Sequence, residues 1–198
     1  MRALQALAAQ AARLNRQAGA PAIPALFFFT DPERTPDPVA AARRLPRGTA
    51  VVYRHFGATN RTVTARRLAR IAKARGLVLL IGADPALAAA VGAAGVHWPQ
   101  RLAGSASRGP GLMTVSAHDA AGVAQAGALG ADACVLAPIF PTRSSSGRAP
   151  LGLFRASQLA RVSGVPVIAL GGVNARTGAR LSGRGFAGLA AVEALAGP

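Results

Sequence analysis

The chain contains few of several residue types, and each shortage excludes a class of protein. A single cysteine, Cys134, has no partner for an internal disulfide and rules out a multi-cysteine metal site, which agrees with a reducing cytoplasm. One Trp and one Tyr are too few for the aromatic platforms on which single-stranded nucleic acids stack. No apolar run approaches the roughly 20 residues that a membrane-spanning helix needs. The composition therefore predicts a cytoplasmic protein that does not associate with membranes.

Acidic residues are also scarce. The chain has 23 basic residues against 7 acidic ones, a formal charge of +16, which attracts polyanions to the surface. Lys73 is the only lysine among them, in a chain rich in Ala, Gly and Pro. A GC-rich coding bias therefore accounts for the excess of Arg no less than selection for a polyanionic partner would. Together with the shortage of aromatic residues, this disfavours nucleic acid as a partner.

Length and apolar content predict one domain over residues 1–198. Of these 198 residues, 51% are hydrophobic, which is enough for a sizeable core. Near the N-terminus, Leu4, Leu7, Ala11 and Leu14 recur at helical spacing and are interrupted by Gln, Asn and Arg. This segment is interpreted as an amphipathic helix of the mature fold rather than a signal peptide.

Strand-like and helix-like segments alternate along the rest of the chain. The predicted strands are residues 25–30, 50–54, 77–81, 95–98, 112–116, 133–136, 165–170 and 185–190. The predicted helices between them are residues 38–44, 61–75, 85–93, 119–128, 152–162 and 175–182. Strands with intervening helices favour parallel pairing, and closure of the sheet gives an α/β fold, a single (β/α)8 TIM barrel.

A typical barrel of this class has about 250 residues, so this one is predicted to be reduced in two places. Residues 101–110 are too short and too rich in Gly and Ser for a full helix, and the sequence after the eighth strand has room only for a truncated last helix. The extra N-terminal helix is expected to cover the surface that the missing last helix leaves bare.

Glycines at two strands predict a phosphate site. A continuous apolar run over residues 165–170 stops at Gly171 and Gly172, and the next strand carries Gly188. Glycines let backbone N–H groups approach an anion at a helix start, and in barrels the phosphate site commonly lies after strands 7 and 8. The alternative is that both segments are buried strands with ordinary turn glycines.

The ends of the predicted strands also carry all three histidines of the chain, and active sites of such barrels lie at these ends. His118 precedes Asp119, a candidate helix cap, and its imidazole is suited to proton transfer; the alternative is a capping or supporting role. His97 has apolar neighbours and is expected to be a hydrogen-bonded structural residue. Arg54 is placed to grip a phosphate or carboxylate, unless it is a salt-bridged residue of the rim.

The loop after the sixth strand combines flexibility, hydroxyl groups and two arginines. Residues 140–150 read Phe-Pro-Thr-Arg-Ser-Ser-Ser-Gly-Arg-Ala-Pro, which suits a lid over an anionic ligand. By itself this signal is weak, because Ser/Gly/Arg loops are common.

Several motifs, taken in order, resemble the thiamine phosphate synthase/TenI family. Residues 25–31 are similar to its first strand, of Leu-Tyr-Leu-Val-Thr-Asp type, and residues 92–100 to its Gly-Ala-Asp-Gly-Val-His-Leu-Gly-Gln motif. The segments 129–142, 150–152 and 169–173 also match family motifs. The resemblance covers about residues 25 to 195 and implies a TIM barrel that acts in thiamine biosynthesis.

The synthase branch of this family joins a pyrimidine diphosphate to a thiazole phosphate with Mg²⁺. The resemblance places its metal ligands at an Asn-Asp pair, here Gly82-Ala83, and at a further Asp, here Leu102, so neither place offers a carboxylate. Asp84 lies one place away and replaces a lost ligand only if the loop shifts. Because Mg²⁺ prefers oxygen ligands, no metal site and no cofactor are predicted, with Mg²⁺ required only for the synthase alternative.

The substrate-binding residues of the family pattern are partly kept. Arg54 remains from the Val-Gln-Leu-Arg-Glu-Lys motif, whereas Phe56 replaces its Lys. In the Thr-x-Thr-Lys loop, Ser145 replaces the Lys, and Thr142 and Ser144 keep the hydroxyl groups. The resemblance therefore implies that Arg54, Thr142 and Ser144, with the glycines, bind the substrate and its phosphate.

The TenI branch isomerises a thiazole carboxylate phosphate, lacks the metal carboxylates and carries a Ser-Val-His motif with a catalytic His. Ser116-Ala117-His118 is similar, so the resemblance implies that His118 is the acid and base, with Ser116 beside it. One departure is Glu193, which replaces a Ser near the phosphate and is expected to repel that group.

The resemblance favours metal-free, TenI-like tautomerisation of a small phosphorylated thiazole. One alternative is a true Mg²⁺-dependent thiamine phosphate synthase, which couples hydroxymethylpyrimidine diphosphate to thiazole phosphate. The other is a non-catalytic barrel that binds a phosphorylated ligand. Assembly into a homo-oligomer stays open under each of these hypotheses.

Overall fold

The computed structural model describes residues 2–143 and 147–196 and contains a closed barrel. Its eight strands follow one another in chain order, and all neighbours are parallel. The first strand also pairs with the last, with Leu26 opposite Leu189. The predicted (β/α)8 barrel is confirmed.

Side chains alternate along the strands between the barrel interior and the surrounding helices. Strands β1 to β8 span Leu26–Phe29, Ala50–Tyr53, Val78–Gly82, Gly95–Trp98, Leu112–Ala117, Ala133–Leu136, Val167–Ala169 and Phe186–Ala191. Phe27, Phe29 and Val52 belong to the core inside the barrel, whereas Tyr53 belongs to the outer core. Because the period of a strand is two residues, Arg54 continues the inner face of β2.

Eight α-helices are present in the described ranges. Helices α1 to α8 span Arg2–Gln17, Pro38–Ala42, Arg61–Arg75, Pro85–Val91, Ala120–Ala128, Leu153–Val162, Ala175–Gly178 and Glu193–Ala196. Asp37, Asp84 and Asp119 cap the first turns of α2, α4 and α5 by accepting backbone hydrogen bonds. Among the described residues, no helix has the length and apolar character needed to cross a membrane.

The two predicted reductions of the barrel are present. A 3-10 helix, Gln100–Ser105, connects β4 to β5 in place of an α-helix, and α8 comprises four of the described residues. Helix α1 covers β8 instead: Leu7 is buried, and Asn15 Nδ2 donates to the carbonyl oxygen of Ala187 at 3.3 Å. The N-terminal helix therefore covers the barrel at its last strand, as expected.

Candidate active site

The C-terminal ends of the strands surround a central cavity of about 280 Å³. Five of the predicted site residues line it: Arg54, Ser116, His118, Thr142 and Gly171. Two further arginines, Arg34 and Arg101, line the same cavity, whereas no carboxylate of the described residues does. The cavity is therefore positively charged and suited to an anionic ligand.

His118, directly after β5, is fixed in one orientation. Its backbone N–H donates to Gln100 Oε1 at 2.8 Å, and its Nδ1 lies 2.6 Å from the carbonyl oxygen of Ala137. A carbonyl oxygen only accepts hydrogen bonds, so Nδ1 carries the proton and Nε2 is the acceptor nitrogen of the neutral ring. Asp119, rather than His118, caps α5. His118 therefore has the tautomer that a general base requires.

His97, on β4, supports Ser116 from inside the barrel. It is 1% exposed, and its Nδ1 and Nε2 each lie 2.9 Å from a hydroxyl oxygen, those of Thr114 and Ser116 respectively. Burial, and secondarily the charge of Arg54, lowers the pKa of His97 to about 3, so the ring is neutral near pH 7. His97 is therefore hydrogen-bonded, as predicted, and that its role is structural stays a prediction.

Arg54 is preorganised at the inner end of β2. Its Nε donates to the carbonyl oxygen of Thr30 at 3.0 Å, and Nη2 lies 3.7 Å from Asp31 Oδ2. Its guanidinium carbon lies 5.2 Å from the centroid of the Phe29 ring. Burial lowers the pKa of Arg54 to about 10 although Asp31 opposes the shift, so Arg54 keeps its charge at neutral pH.

Arg34 is a site residue with no signal in the sequence, because it lies in an irregular loop after β1. Its Nη2 lies 2.7 Å from Asp31 Oδ2. Burial raises the pKa of Asp31, but the hydrogen bonds and charge of Arg34 and the charge of Arg54 outweigh it, so the net pKa is lowered. The ionised Asp31 therefore holds both arginines at the cavity.

A second cavity, of about 650 Å³, opens at the ends of β7 and β8; we call it the glycine cup. Gly171 and Gly172 line it with φ angles of 93° and 63°, in the region that favours glycine. A Cβ at Gly171 would lie 2.6 Å from Pro138 Cα, so side chains are excluded there. No described residue accepts a hydrogen bond from the backbone N–H of either glycine, which makes both groups available to an anion.

The central cavity and the glycine cup are adjacent at the C-terminal ends of the strands. Arg34, Thr142, Leu170, Gly171 and Val192 line both. Arg34 and Thr142 therefore lie at the boundary between the cup and the cavity that His118 lines.

Glu193 lines the glycine cup, where its carboxylate opposes the binding of a phosphate. Its Oε2 lies 3.3 Å from Nη2 of Arg143, a side chain that is 88% exposed. A solvent-exposed ion pair is weak and screened. Arg143 therefore reduces the repulsion from Glu193 without removing it.

One described residue that was predicted to bind phosphate, Gly188, is not brought into this site. Gly188 lies within β8 and lines neither cavity; a Cβ there would clash with the carbonyl oxygen of Ala25, so close packing of the backbone explains the glycine. Ser144, like Ser145, lies outside the described residues. The lid predicted for residues 140–150 stays a prediction.

The residues at the metal positions of the family pattern do not fit Mg²⁺. Gly82, Ala83 and Leu102 carry no carboxylate, and in residues 2–143 and 147–196 no three His, Cys, Asp or Glu side chains are grouped so that they would hold a metal ion. Asp84 caps α4 and lies 3.7 Å from Nε of Arg61. The carboxylate adjacent in sequence to these positions is therefore already engaged with a backbone N–H and a guanidinium, and an additional cation there is unfavourable.

Known proteins share both the sequence pattern and the fold. Residues 26–195 match the family model described as thiamine monophosphate synthase. The thiamine-phosphate synthase of Alcanivorax borkumensis is 33% identical over 184 residues, which cover 87% of this chain and 85% of the relative. That of Bacillus velezensis is 26% identical over 196 residues, covering 92% and 88%.

A solved structure supports the fold independently. The thiamine phosphate pyrophosphorylase from Pyrococcus furiosus superposes with a TM-score of 0.72 over 95% of this chain and 90% of that chain, at 21% identity. Because the family model spans most of the barrel, from β1 to α8, the match is to the whole fold rather than to one motif. The chain therefore belongs to the thiamine monophosphate synthase family of enzymes.

Proposed function

We propose that the protein is an isomerase of this family that tautomerises a thiazole carboxylate phosphate without a metal. One observation carries the proposal: Nδ1–H of His118 is committed to the carbonyl oxygen of Ala137 at 2.6 Å, which makes Nε2 the basic atom in the central cavity. The cavity shares Arg34, Thr142 and Gly171 with the glycine cup, so a ligand whose phosphate lies in the cup would have its ring close to this base.

Tautomerisation requires only that one proton moves within the substrate. Nε2 of His118 takes the proton from a carbon of the substrate, the electron pair of that bond shifts into the ring, and the imidazolium returns the proton to a second atom. No atom is oxidised or reduced, and no group leaves. The hydrogen bond from Nδ1 to Ala137 is kept in both states of the imidazole, which holds the ring in place while it exchanges the proton.

Fixed positive charges support this chemistry. Arg34, Arg54 and Arg101 line the central cavity, and preorganised cations stabilise charge that develops during a reaction because they need not reorient. Ser116, whose Oγ is held by His97 at 2.9 Å, adds a hydroxyl group to the same cavity. The site thereby offers anion binding and a base, which are the two requirements of the reaction.

The proposed ligand is a small phosphorylated thiazole, and we place the reaction in the cytoplasm. The one thiol, Cys134, is buried, and burial raises its pKa to about 12. An unpaired thiol suits a reducing compartment, and a thiol with this pKa takes no part as a nucleophile.

Similarity to the thiamine-phosphate synthases of Alcanivorax borkumensis and Bacillus velezensis favours a second candidate, the Mg²⁺-dependent synthase reaction. In this chain it would require Asp84 to leave both the α4 cap and Arg61. A third candidate is a barrel that binds the phosphorylated ligand without catalysis, for which the glycine cup suffices.

Parallel assays separate these functions. The purified protein is incubated with thiazole carboxylate phosphate, or with thiazole phosphate plus hydroxymethylpyrimidine diphosphate, in buffers that contain either EDTA or Mg²⁺. The proposal predicts isomerisation at equal rates in both buffers. Thiamine phosphate formed only with Mg²⁺ would establish the synthase instead. Ligand binding by calorimetry with neither reaction would establish a non-catalytic barrel.

A further inference from the structure

Phe56 presents an aromatic ring to a cavity that is otherwise basic. Its side chain is 44% exposed, and it lines the central cavity beside Arg54. The other exposed large apolar residues in the described part of the chain, Val63, Phe154 and Val162, line neither the central cavity nor the glycine cup. Phe56 therefore contributes an exposed apolar surface to the central cavity.

The ring of Phe56 rests on the end of β3. A Cβ at Gly82 would lie 3.0 Å from Cζ and 3.1 Å from Cε1 of Phe56, so the close approach of ring and backbone depends on glycine. In the sheet register Gly82 is opposite His97, on the inner face of the barrel. The ring therefore covers a position at which the family pattern has a polar side chain of the metal site.

Arg61, from α3, holds the ring in this position. Its guanidinium carbon lies 5.3 Å from the centroid of Phe56, within the range of a cation–π contact. Nη2 donates to the carbonyl oxygen of Gly82 at 2.8 Å, and the side chain is only 14% exposed. Arg61 does not line the cavity. It supports the ring, which then loses little conformational freedom when a ligand binds.

We propose that Phe56 is the wall of the central cavity on which the planar heteroaromatic ring of the substrate stacks, while Arg54 and the glycine cup hold its anionic groups. The identity of that substrate rests on the proposed function. A lysine, which the family pattern has at this position, attracts a phosphate group instead. Phe56 thus shifts the preference of the site from a diphosphate to a ring that carries a single phosphate.

Calorimetry with two probes tests the role of Phe56. Thiazole phosphate offers a ring and a phosphate, whereas inorganic phosphate offers no ring. Phe56→Leu removes the aromatic face but keeps an apolar side chain, and Phe56→Tyr keeps the face. We expect Phe56→Leu to lower the affinity for thiazole phosphate about tenfold and to leave the affinity for inorganic phosphate unchanged. Phe56→Tyr should bind both probes as the wild type does.

Two further variants complete the design. Phe154→Leu replaces a phenylalanine that is 76% exposed and lines neither cavity, and it should leave both affinities unchanged. Gly82→Ala displaces the ring without altering Phe56 and should reproduce the loss seen in Phe56→Leu. Melting temperatures establish that each variant is folded.

The possible failures are distinguishable. Equal affinity of the wild type and Phe56→Leu for thiazole phosphate would overturn the proposed wall. A wild type that binds thiazole phosphate no more tightly than inorganic phosphate would overturn it as well. Ring-dependent affinity in a protein that isomerises nothing would support the wall and refute the proposed function.

Discussion

Nε2 of His97 lies 2.9 Å from Oγ of Ser116, so a buried neutral imidazole positions a hydroxyl group in the cavity of the proposed base. The other ring nitrogen is bound to Thr114, and Phe29 packs edge-on against the ring at 4.9 Å. The site therefore contains two histidines with different tasks. His97 supports the wall of the cavity from within the barrel, and His118 is the residue that exchanges the proton in the proposed reaction.

Acid should destabilise the protein partly through His97. Burial lowers the pKa of His97 from 6.5 to about 3, so between these values the unfolded chain binds a proton that the folded one does not. The free energy of unfolding therefore falls as the pH decreases from 6.5 to 3 and has no contribution from this group above 6.5. Burial also lowers the pKa of His55, which acts in the same direction.

Urea unfolding of the wild type and His97→Gln, measured across this range of pH, checks the effect. The variant should be less stable near neutrality, because hydrogen bonds to Thr114 and Ser116 change, but its stability should decline less with acid. Identical declines in both proteins would show that His97 does not titrate on unfolding.

Ala83 is held in the left-handed region, with φ of 49°, which costs a residue with a Cβ roughly 1–2 kcal/mol. Ala83→Gly should therefore raise the free energy of unfolding by about 0.5–1 kcal/mol, after the entropy of the more flexible unfolded chain is subtracted. Ala90→Gly, at an exposed position of α4, is the control and should lower it by about 0.5–1 kcal/mol. If thermal unfolding showed that both variants change the free energy of unfolding in the same direction, this would argue against strain at Ala83.

Glu193 should weaken phosphate binding in the glycine cup. Glu193→Gln removes this charge and is expected to raise the affinity for inorganic phosphate about fivefold at low salt. The gain in affinity should shrink in 1 M salt, where the Debye length is about 3 Å. Glu33→Gln, at an exposed position that lines neither cavity, controls for the change in net charge. If both variants gained affinity equally, the effect would come from the overall charge rather than from the cup.

The barrel could be predicted from the sequence because its signals are local. The apolar run over residues 165–170 is covered on both faces, as such runs are in parallel sheets, and β7 lies within it at Val167–Ala169. The predicted strand ends likewise located His118 and Arg54, since all strand ends of a parallel barrel meet at one rim. Gly171 and Gly172 were located by the same argument.

The rest of the site depends on contacts between distant segments. Arg61 belongs to the first turn of α3, where an arginine on a helix is ordinarily solvated, and only the folded chain brings it to the carbonyl oxygen of Gly82. Arg34 lies in a loop without sequence periodicity, and its ion pair with Asp31 holds it at the cavity. Gly188, like Gly172, belongs to an apolar strand-like segment of the sequence, but it lies within β8 and lines neither cavity, whereas Gly172 lines the glycine cup.

Turnover of His118→Gln in metal-free buffer tests the central claim most directly. The wild type should isomerise thiazole carboxylate phosphate in the presence of EDTA, and His118→Gln should lose about 10²–10⁴ in kcat. Its affinity for thiazole phosphate should stay near that of the wild type, because Arg54 and the glycine cup hold the anion. Arg54→Gln should do the reverse and act mainly through binding. Wild-type turnover that depends on Mg²⁺, or that persists undiminished in His118→Gln, would contradict metal-free proton transfer by this histidine.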